Sequence, residues 1–313
     1  MKKIPLIVIA GPTASGKTSL AVEVAKAIGG EVVSADSVQI YKYLDIGSAK
    51  VTPEEMQGIP HYMVGKIDPS DSFSVADFTA MAHKYLADIH SRGKIPVLAG
   101  GTGLYINSVV NDVDFEDEQV DDILRNELWK TANEKGAEYM LDILRSFDPV
   151  SADRIHANNM VRVIRAIEFY KTTGIPISVH QEETQKKESR YEPCIIAIEH
   201  DREKLYERIN LRVDIMMDSG LIDEVRALVK MGYRKSINSM KGIGYKEVMD
   251  YLRGFLTYSE LCEVIKRMSR RYAKRQITWF KKDKRTIWVK YSPTLVSDTL
   301  DIIRSFLDKT GNI

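Results

Sequence analysis

The amino-terminal segment constrains the fold of this chain more than any other. An apolar run, IPLIVIA, leads directly into the octapeptide GPTASGKT, which matches the pattern G-x-x-x-x-G-K-[ST]. Such a loop connects a buried strand to a helix, and its backbone N–H groups surround phosphate oxygens at the positive end of that helix. Lys17 is expected to neutralise phosphate charge, and the Thr18 hydroxyl to bind Mg²⁺. The segment predicts a site for a di- or triphosphate and leaves the second substrate open.

Apolar, strand-like segments alternate with helical ones along the chain. The predicted helices include Lys17–Ile28 and Phe78–Ser91. The predicted strands are Ile4–Ala10, Glu31–Ala35, Ile95–Ala99 and Cys194–Ile198. This alternation predicts an α/β fold with a P-loop NTPase-like parallel sheet and helices on both faces. Because ligands bind beyond the C-terminal ends of such strands, we expect the phosphate loop, Asp36 and Thr102 to share one site.

The charge of the chain is segregated, although the net charge is only +1. Residues 201–313 contain 24 Lys/Arg and 15 Asp/Glu, so the totals of 45 and 44 leave 21 and 29 for residues 1–200. The excess is largest at 266–290, with eleven basic residues and the single acid Asp283. Such a stretch indicates a contact with a polyanion, and a solvated helix face is the alternative.

An acidic run, residues 111–122, interrupts the alternation with seven acids and no base. Helical segments follow at about 120–133, 136–147 and 159–173. We therefore predict an inserted all-helical domain at 115–185, within a core domain formed by 1–114 and 186–313. Arg162 and Arg165 in this insertion could form a second polyanion contact. On their own they suit a solvated surface or an ion pair equally well.

Three features indicate a cytoplasmic protein without a membrane anchor. The start MKKIPLIVIAG looks like a signal peptide for a few residues, but its apolar run is short and continues into the phosphate loop. No apolar stretch has the length needed to span a bilayer. Cys194 and Cys262 are far apart and lack metal-ligand spacing, so we expect buried free thiols in a reducing compartment.

Asp36 follows the second predicted strand and has three possible roles. It could bind Mg²⁺, act as a general base, or cap a helix N-terminus. A hydrolytic ATPase would normally carry an aspartate at the end of another apolar strand to hold Mg²⁺ and order water. The strand IPVLA ends instead in GGTG. This difference disfavours a motor-type or switch-type NTPase and favours transfer of a group to an acceptor.

The segment EVIKRMSRRYAKRQITWFKK predicts an amphipathic helix that could contact RNA. Spacings of three and four residues predict an apolar face formed by Ile265, Met268, Tyr272, Gln276 and Trp279. Basic residues occupy the remaining surface: Arg267, Arg270, Arg271, Lys274, Arg275, Lys281 and Lys282. Cations for backbone phosphates beside aromatic rings for unstacked bases are typical of RNA binding. In the alternative interpretation, Trp279 and Phe280 anchor the helix in the core.

Six segments, taken in order, resemble a known family. They are GPTASGKT, DSVQIYKYLDIGSAK, PHY, PVLAGGTGLYI, GIGYKE and KRQITWF, and they extend from residue 5 to about 290. The chain resembles a tRNA dimethylallyltransferase, also called a tRNA isopentenyltransferase, in its bacterial form. The phosphate loop alone is unspecific, whereas the combination is highly specific. The resemblance implies transfer of a dimethylallyl group to N6 of the adenine at tRNA position 37, 3′ to the anticodon, in tRNAs that read codons beginning with uridine.

The resemblance also implies the ligands and the roles of residues. The expected ligands are dimethylallyl diphosphate in place of ATP, Mg²⁺ bound at Thr18, and the anticodon stem-loop of tRNA, and we expect a monomer. Asp36 matches the general base, Thr102 lines the reaction channel, and Arg208 reaches the diphosphate. The implied diphosphate contacts are Gly11, Pro12, Thr13, Ala14, Ser15, Gly16, Lys17 and Thr18. The implied tRNA contacts are Asp36, Ser37, Val38, Gln39, Val161, Arg162, Arg165, Met240, Lys241, Gly242, Gly244, Tyr245, Lys274, Arg275, Gln276, Trp279 and Lys281.

Two other functions are compatible with parts of the sequence. A nucleotide or small-molecule kinase would bind ATP at the loop and use Asp36 to activate a hydroxyl group. That function explains residues 1–110 but leaves the basic, aromatic segment without a role. A non-catalytic RNA-binding protein regulated by a nucleotide explains that segment but gives no role to Asp36 or Thr102.

Overall fold

The computed structural model of the chain describes residues 3–113, 115 and 121–311. The chain divides into two compact units, one formed by Met1–Val110 with Arg190–Ile313 and the other by Asn111–Ser189. Half of the acidic run predicted to interrupt the fold lies outside the described residues, since 114 and 116–120 are among those omitted.

A six-stranded parallel sheet forms the centre of the first unit. Its strands are β1 (Ile4–Ala10), β2 (Glu31–Ala35), β3 (His61–Tyr62), β4 (Pro96–Gly100), β5 (Tyr191–Glu199) and β6 (Ile287–Lys290). They lie in the order β3-β2-β4-β1-β5-β6, and every pairing is parallel. The apolar run that precedes the phosphate loop becomes β1, which pairs with β4 and β5 and packs in an apolar cluster on each face of the sheet. The predicted parallel sheet is confirmed.

The two edge strands were not predicted from the sequence. β3 has two residues and β6 has four, so neither is long enough for an alternating or continuous apolar pattern. Both become strands because a neighbouring strand supplies hydrogen-bond partners, β2 for β3 and β5 for β6. The sequence after residue 200 predicts a largely helical segment, and the four residues of β6 are the strand that this pattern did not indicate.

Helices cover both faces of the sheet. In the first unit the helices before the insertion are α1 (Lys17–Ile28), α2 (Pro53–Met56), α3 (Val75–Ser91) and α4 (Gly103–Val110). Because side chains alternate along β1, Ile7 and Ile9 pack in one apolar cluster with α1, while Leu6 and Val8 pack in another with α3 and α4. The predicted covering of both faces is confirmed.

The second unit consists of helices wherever the structure describes it. They are α5 (Asp122–Lys135), α6 (Ala137–Arg145), α7 (Pro149–Arg154), α8 (Met160–Thr173) and α9 (Ile177–Lys186). Met140, Leu144, Val163 and Ile167 belong to its separate apolar core. The three predicted helical segments correspond to α5, α6 and α8.

After the insertion the chain returns to the first unit. Its remaining helices are α10 (Arg202–Asp218), α11 (Leu221–Lys230), α12 (Tyr245–Leu252), α13 (Tyr258–Phe280) and α14 (Leu295–Thr310). A short 3₁₀ turn at Ser239–Lys241 precedes α12. Within the described ranges, no helix is both long enough and apolar enough to cross a membrane.

A buried carboxylate anchors the N-terminal end of β2. The Glu31 side chain is 2% exposed and accepts hydrogen bonds from Arg92 at 2.6 and 2.8 Å and from the Tyr62 hydroxyl at 2.8 Å. Lys94 lies 2.9 Å away. The hydrogen bonds from Arg92 lower the Glu31 pKa from 4.5 to about 2, although burial opposes the change.

We predict that Glu31→Gln lowers the free energy of unfolding by about 1–3 kcal/mol at neutral pH, because Arg92 and Lys94 lose their charged acceptor. The depressed pKa makes this contribution complete above pH 4.5, and it is lost as the pH falls toward about 2. Chemical denaturation at several pH values measures the difference between the two proteins. Glu23→Gln, which removes an exposed pairing with Lys26, serves as the control and should change stability by less than about 0.5 kcal/mol. If the difference in unfolding free energy between Glu31→Gln and the unmodified protein stayed constant from pH 6 to pH 3, the depressed Glu31 pKa would be contradicted.

Candidate active site

The first turns of α1 and residues of β2 and β4 line an open pocket at the edge of the sheet. Parallel strands place the segments that follow them at one edge of the sheet, so the phosphate loop and Asp36 both reach this pocket. Its lining residues are Lys17, Thr18, Ala21, Val32, Ser34, Asp36, Gln39, Val51, His61, Ala99 and Gly100. Of the three segments expected to share one site, the end of the phosphate loop (Lys17 and Thr18) and Asp36 line this pocket, whereas Thr102 is not among its lining residues.

The phosphate loop has the backbone of an anion-binding cradle. Ala14 and Gly16 both adopt left-handed conformations, with φ of 60° and 93°, and Gly16 caps the N-terminus of α1. The glycine at this position avoids the steric cost that a Cβ would carry at φ 93°. The Ser15 hydroxyl oxygen is buried and has no hydrogen-bond partner among the described residues. A buried polar atom without a partner at a helix N-terminus suits a bound anion.

Lys17 adds a positive charge to this cradle, and the protonation of its ammonium group depends on its surroundings. Its ammonium group donates to the Pro12 carbonyl at 3.3 Å and lines the pocket. Burial and, to a smaller extent, Arg212 lower the Lys17 pKa to about 8, although Asp36 opposes the change. An anion bound at the loop would favour the charged form, because an opposite charge raises the pKa of an ammonium group.

Arg208, which the resemblance implied would reach the diphosphate, lies against the phosphate loop. Its Nε donates to the Ala14 carbonyl at 2.9 Å, and its guanidinium carbon lies 4.9 Å from the centre of the Tyr291 ring. His200 stacks on the same ring at 4.4 Å and contacts the Ser15 carbonyl through Nε2 at 2.8 Å. These contacts hold the guanidinium beside the cradle.

Arg212 was missed in the sequence. It lies four residues after Arg208 on α10, and its Nε is buried without a hydrogen-bond partner in the part of the chain that the structure describes. Burial lowers its pKa, while Asp36 and Glu55 oppose the change. The i, i+4 spacing of two arginines in ERINLR was the available signal, because it places both on one side of a helix.

Asp36 begins a tight turn at the end of β2. Its Oδ1 accepts hydrogen bonds from the backbone N–H groups of Val38 at 2.9 Å and Gln39 at 3.2 Å. Both bonds use Oδ1, and Oδ2 makes no hydrogen bond to a described residue. No helix begins at this turn, so Asp36 closes a turn and does not cap a helix, and its other oxygen is left for a second role.

Thr102 fixes the same turn from β4. Its hydroxyl accepts from the Ser37 backbone N–H at 3.1 Å and donates to the Ser37 hydroxyl at 3.3 Å. Tyr272 on α13 hydrogen-bonds to Thr102, and burial together with Asp36 raises the Tyr272 pKa to about 12. Thr102 thus positions the turn that carries Asp36.

Gln276 joins three segments of the site and is nearly buried, with 5% exposure. Its Oε1 accepts from the Thr13 backbone N–H at 2.9 Å, and its Nε2 donates to the Gly101 carbonyl at 2.9 Å. Trp279, one turn later, covers Gly103 so closely that a Cβ there would lie 2.2 Å from the indole Cδ1. We reassign Gln276 from tRNA contact to support of the site, since protein groups engage both ends of its amide. Trp279 remains 37% exposed.

The remaining residues predicted to contact tRNA differ in exposure. Met240 and Tyr245 are fully buried, so their side chains form the core rather than a binding surface. Gly244 is also buried, and its N–H donates to Glu247 at 2.8 Å. Arg165 pairs with buried Glu168 at 3.2 Å, which is the ion-pair alternative. The exposed members of the set are Val161, Arg162, Lys241, Lys274, Arg275 and Lys281.

The residues at the pocket fit a magnesium ion bound together with a phosphate ligand. Among the described residues, no group of three His, Cys, Asp or Glu side chains has the arrangement of a protein-only metal site. Mg²⁺ usually keeps several waters and takes only one or two protein ligands in addition to phosphate oxygens. The Thr18 hydroxyl and the Asp36 carboxylate line the same pocket and can supply such ligands.

The chain is similar to a family of known proteins along most of its length. The family model described as IPP transferase matches residues 39–283. A tRNA dimethylallyltransferase of Acetivibrio thermocellus is 54% identical over 284 residues, which is 91% of each chain. A tRNA dimethylallyltransferase of Clostridioides difficile is 50% identical over 288 residues, or 92% of each chain.

Two solved structures are similar over nearly the whole fold. The tRNA isopentenylpyrophosphate transferase of Bacillus halodurans is 42% identical, with a TM-score of 0.75 over 99% of this chain and 98% of that one. A eukaryotic dimethylallyltransferase acting on tRNA is 27% identical, with a TM-score of 0.84 over 98% of this chain and 80% of that one.

We predict that anion affinity at the loop falls about tenfold from pH 7 to pH 9, because Lys17 with a pKa of about 8 loses its charge over that range. Calorimetric titration with sulfate measures this directly, since the charge of sulfate is constant there. Lys17→Arg should remove most of the pH dependence, because a guanidinium stays protonated. Lys26→Arg at the other end of α1 is the matched control and should retain it. An equal fall in the Lys17→Arg protein would assign the titration to another group.

Proposed function

Because this chain belongs to the IPP transferase family of tRNA dimethylallyltransferases, we propose that it transfers a dimethylallyl group from dimethylallyl diphosphate to N6 of the adenine at tRNA position 37. The acceptors are tRNAs that read codons beginning with uridine, and the products are N6-dimethylallyladenosine and diphosphate. The observation that carries this proposal is the shared pocket, in which an anion cradle lies beside a carboxylate on a turn. The anion cradle holds the donor, and the carboxylate faces the acceptor.

In the proposed reaction the phosphate loop binds the leaving group. The adenine N6 attacks the allylic carbon, the carbon–oxygen bond breaks, and its electron pair leaves with diphosphate. The positive groups around the loop stabilise the charge that develops on this oxygen, namely Lys17, Arg208 and Arg212. The backbone N–H groups of the cradle and the unpaired Ser15 hydroxyl add neutral donors.

Asp36 is the proposed general base. The exocyclic amine of adenine is a poor nucleophile because its lone pair is delocalised into the ring. A carboxylate oxygen within hydrogen-bond distance can accept the N6 proton as the new bond forms, which is worth about 10²–10⁴ in rate. The turn contacts from Val38 and Gln39 hold Oδ1 and leave Oδ2 for this role.

Mg²⁺ fits the proposed reaction as a charge-neutralising ion on the diphosphate. The Thr18 hydroxyl and Asp36 line the pocket where such an ion would lie. When bound, the metal would reduce the charge repulsion that opposes departure of diphosphate.

The proposed tRNA surface uses the exposed basic residues near the C-terminal end of α13. Lys274 and Arg275 are exposed, and the Arg275 guanidinium lies 5.5 Å from the centre of the Tyr272 ring. Lys241 and Lys281 extend the basic surface within the same unit. Exposed Val161 and Arg162 are the proposed contribution of the insertion. The adenine must leave its stack to reach the pocket, which costs least in the single-stranded anticodon loop.

All groups in this proposal belong to one chain, so we propose that a monomer is the active unit. A tRNA acceptor also implies that the reaction takes place in the cytoplasm. A kinase that binds ATP at the loop is not favoured. It gives no role to the basic stretch at 266–290, and the curated relatives compared above are all named tRNA dimethylallyltransferases.

We predict that the purified protein transfers label from dimethylallyl diphosphate to tRNA in the presence of Mg²⁺, and that Asp36→Asn lowers the rate about 10²–10⁴-fold. Asparagine keeps the Oδ1 acceptor that caps the turn but lacks the basic oxygen, so tRNA affinity should stay within a few-fold. Single-turnover transfer and filter binding measure the two quantities separately.

Two outcomes of this assay would contradict the proposal. Phosphate transfer from ATP without prenyl transfer would support the kinase function. An Asp36→Asn protein with full activity would restrict Asp36 to closing its turn. Ser37→Ala, which alters the neighbouring turn residue without removing a base, is the control for local disturbance.

We predict that replacing Lys274 and Arg275 by alanine weakens tRNA binding and flattens its dependence on salt, because fewer counterions are released on binding. Binding measured across a range of salt concentrations gives the slope. Lys309→Ala together with Arg304→Ala on α14 removes the same charge elsewhere on the unit and should leave the slope unchanged. An unchanged slope for the Lys274 and Arg275 variant would refute this surface.

A further inference from the structure

Glu224 on α11 binds a loop that lies far from it in sequence. Its carboxylate accepts hydrogen bonds from three consecutive backbone N–H groups, those of Asp45 at 2.9 Å, Ile46 at 2.7 Å and Gly47 at 3.1 Å. It also accepts from the Tyr245 hydroxyl at 2.9 Å. Four donors on one carboxylate define the conformation of this loop.

The same loop orients the side chain of Gln39. The Gln39 Nε2 donates to the Ser48 carbonyl at 3.3 Å and to the Ala49 carbonyl at 3.0 Å. With both amide hydrogens on these carbonyls, the direction of the Gln39 Oε1 acceptor is set by the position of the loop. Gln39 lines the pocket together with Asp36, whose Oδ1 also accepts from the Gln39 backbone.

The Tyr245 ring packs closely against the backbone of the same loop. A Cβ on Gly47 would lie 2.6 Å from the Tyr245 Cζ, so only glycine lets the ring approach the backbone this closely. The ring is fully buried, and burial together with Glu224 raises the Tyr245 pKa well above its usual value. The hydroxyl therefore stays protonated and donates to Glu224.

We propose that Glu224 is a positioning residue for the acceptor base, acting through the loop at 45–49 on the amide of Gln39. This inference rests on the proposed function, because that function supplies the adenine that Gln39 would orient. A carboxylate is required, since an amide at this position would present its own N–H groups to backbone donors. The hydrogen bonds of Glu224 to described residues go to Asp45, Ile46, Gly47 and Tyr245, which lie outside the phosphate cradle, so the donor side of the reaction should be unaffected.

The test is a double-mutant cycle between Glu224 and Gln39. We expect Glu224→Gln to raise KM for tRNA or lower kcat by about tenfold, with an unchanged KM for dimethylallyl diphosphate. Gln39→Ala should have an effect of similar size, and the double variant should be no worse than Gln39→Ala alone. Glu224→Asp keeps the charge and should recover part of the lost activity. Gly47→Ala displaces the Tyr245 ring and should reproduce the kinetic change without altering Glu224.

Glu260→Gln is the matched control. Its carboxylate also accepts a backbone N–H, that of Thr257 at 2.8 Å, but at the start of α13, far along the helix from Gln276. The Glu260→Gln protein should lose about as much thermal stability as the Glu224→Gln protein, without the change in KM for tRNA.

Each outcome of the cycle decides the role of Glu224. Kinetic effects that add in the double variant, or a loss of stability with unchanged kinetics, would reduce Glu224 to a structural residue. A wild-type protein that transfers nothing to tRNA would instead refute the proposed function itself. An active wild type with unchanged Glu224→Gln kinetics would refute only this inference.

Discussion

The amide of Gln276 makes the interaction on which the rest of the site depends. One side chain accepts from the phosphate loop at Thr13 and donates to the end of β4 at Gly101. It thereby fixes α13 against two strand ends and brings Tyr272 to Thr102. Both the oxygen and the nitrogen of this buried amide are hydrogen-bonded, so the side chain is held in one orientation, because any shift would leave a polar group unpaired. The cradle, the Asp36 turn and the basic surface of α13 are therefore aligned by one residue.

The site contains more positive than negative side chains, which suits its proposed ligands. Lys17, Arg208 and Arg212 lie around a cradle of backbone donors, while Asp36 provides the nearby carboxylate. Burial makes the charged forms of Lys17 and Arg212 costly, as the lowered pKa values of both indicate. A diphosphate would relieve that cost and complete the site. The free energy stored in unpaired positive groups is then available to the ligand that leaves.

The acceptor side of the site is built differently. Asp36 caps its own turn, Thr102 holds the next residue, and Gln39 is bound by a loop that Glu224 orders. All of these hydrogen bonds join groups of the protein itself, so these side chains are oriented without a ligand. A flipped base would meet acceptors held by other protein groups, whereas the diphosphate would meet the buried positive charges of Lys17 and Arg212. The two halves of the proposed reaction thus rely on different physical interactions.

The sequence by itself determined the parallel sheet, the phosphate loop and the placement of Asp36 after a strand, because each depends on residues close together in the chain. It could not reveal edge strands of two and four residues, whose pairing comes from neighbours. Nor could it identify Arg212 beside Asp36, or distinguish buried Met240 and Tyr245 from exposed Lys241. Only the tertiary structure decided that Gln276 serves the fold, since its bond to Thr13 joins residues 263 positions apart. Contacts at that separation follow from the packing of the whole unit, which no local pattern encodes.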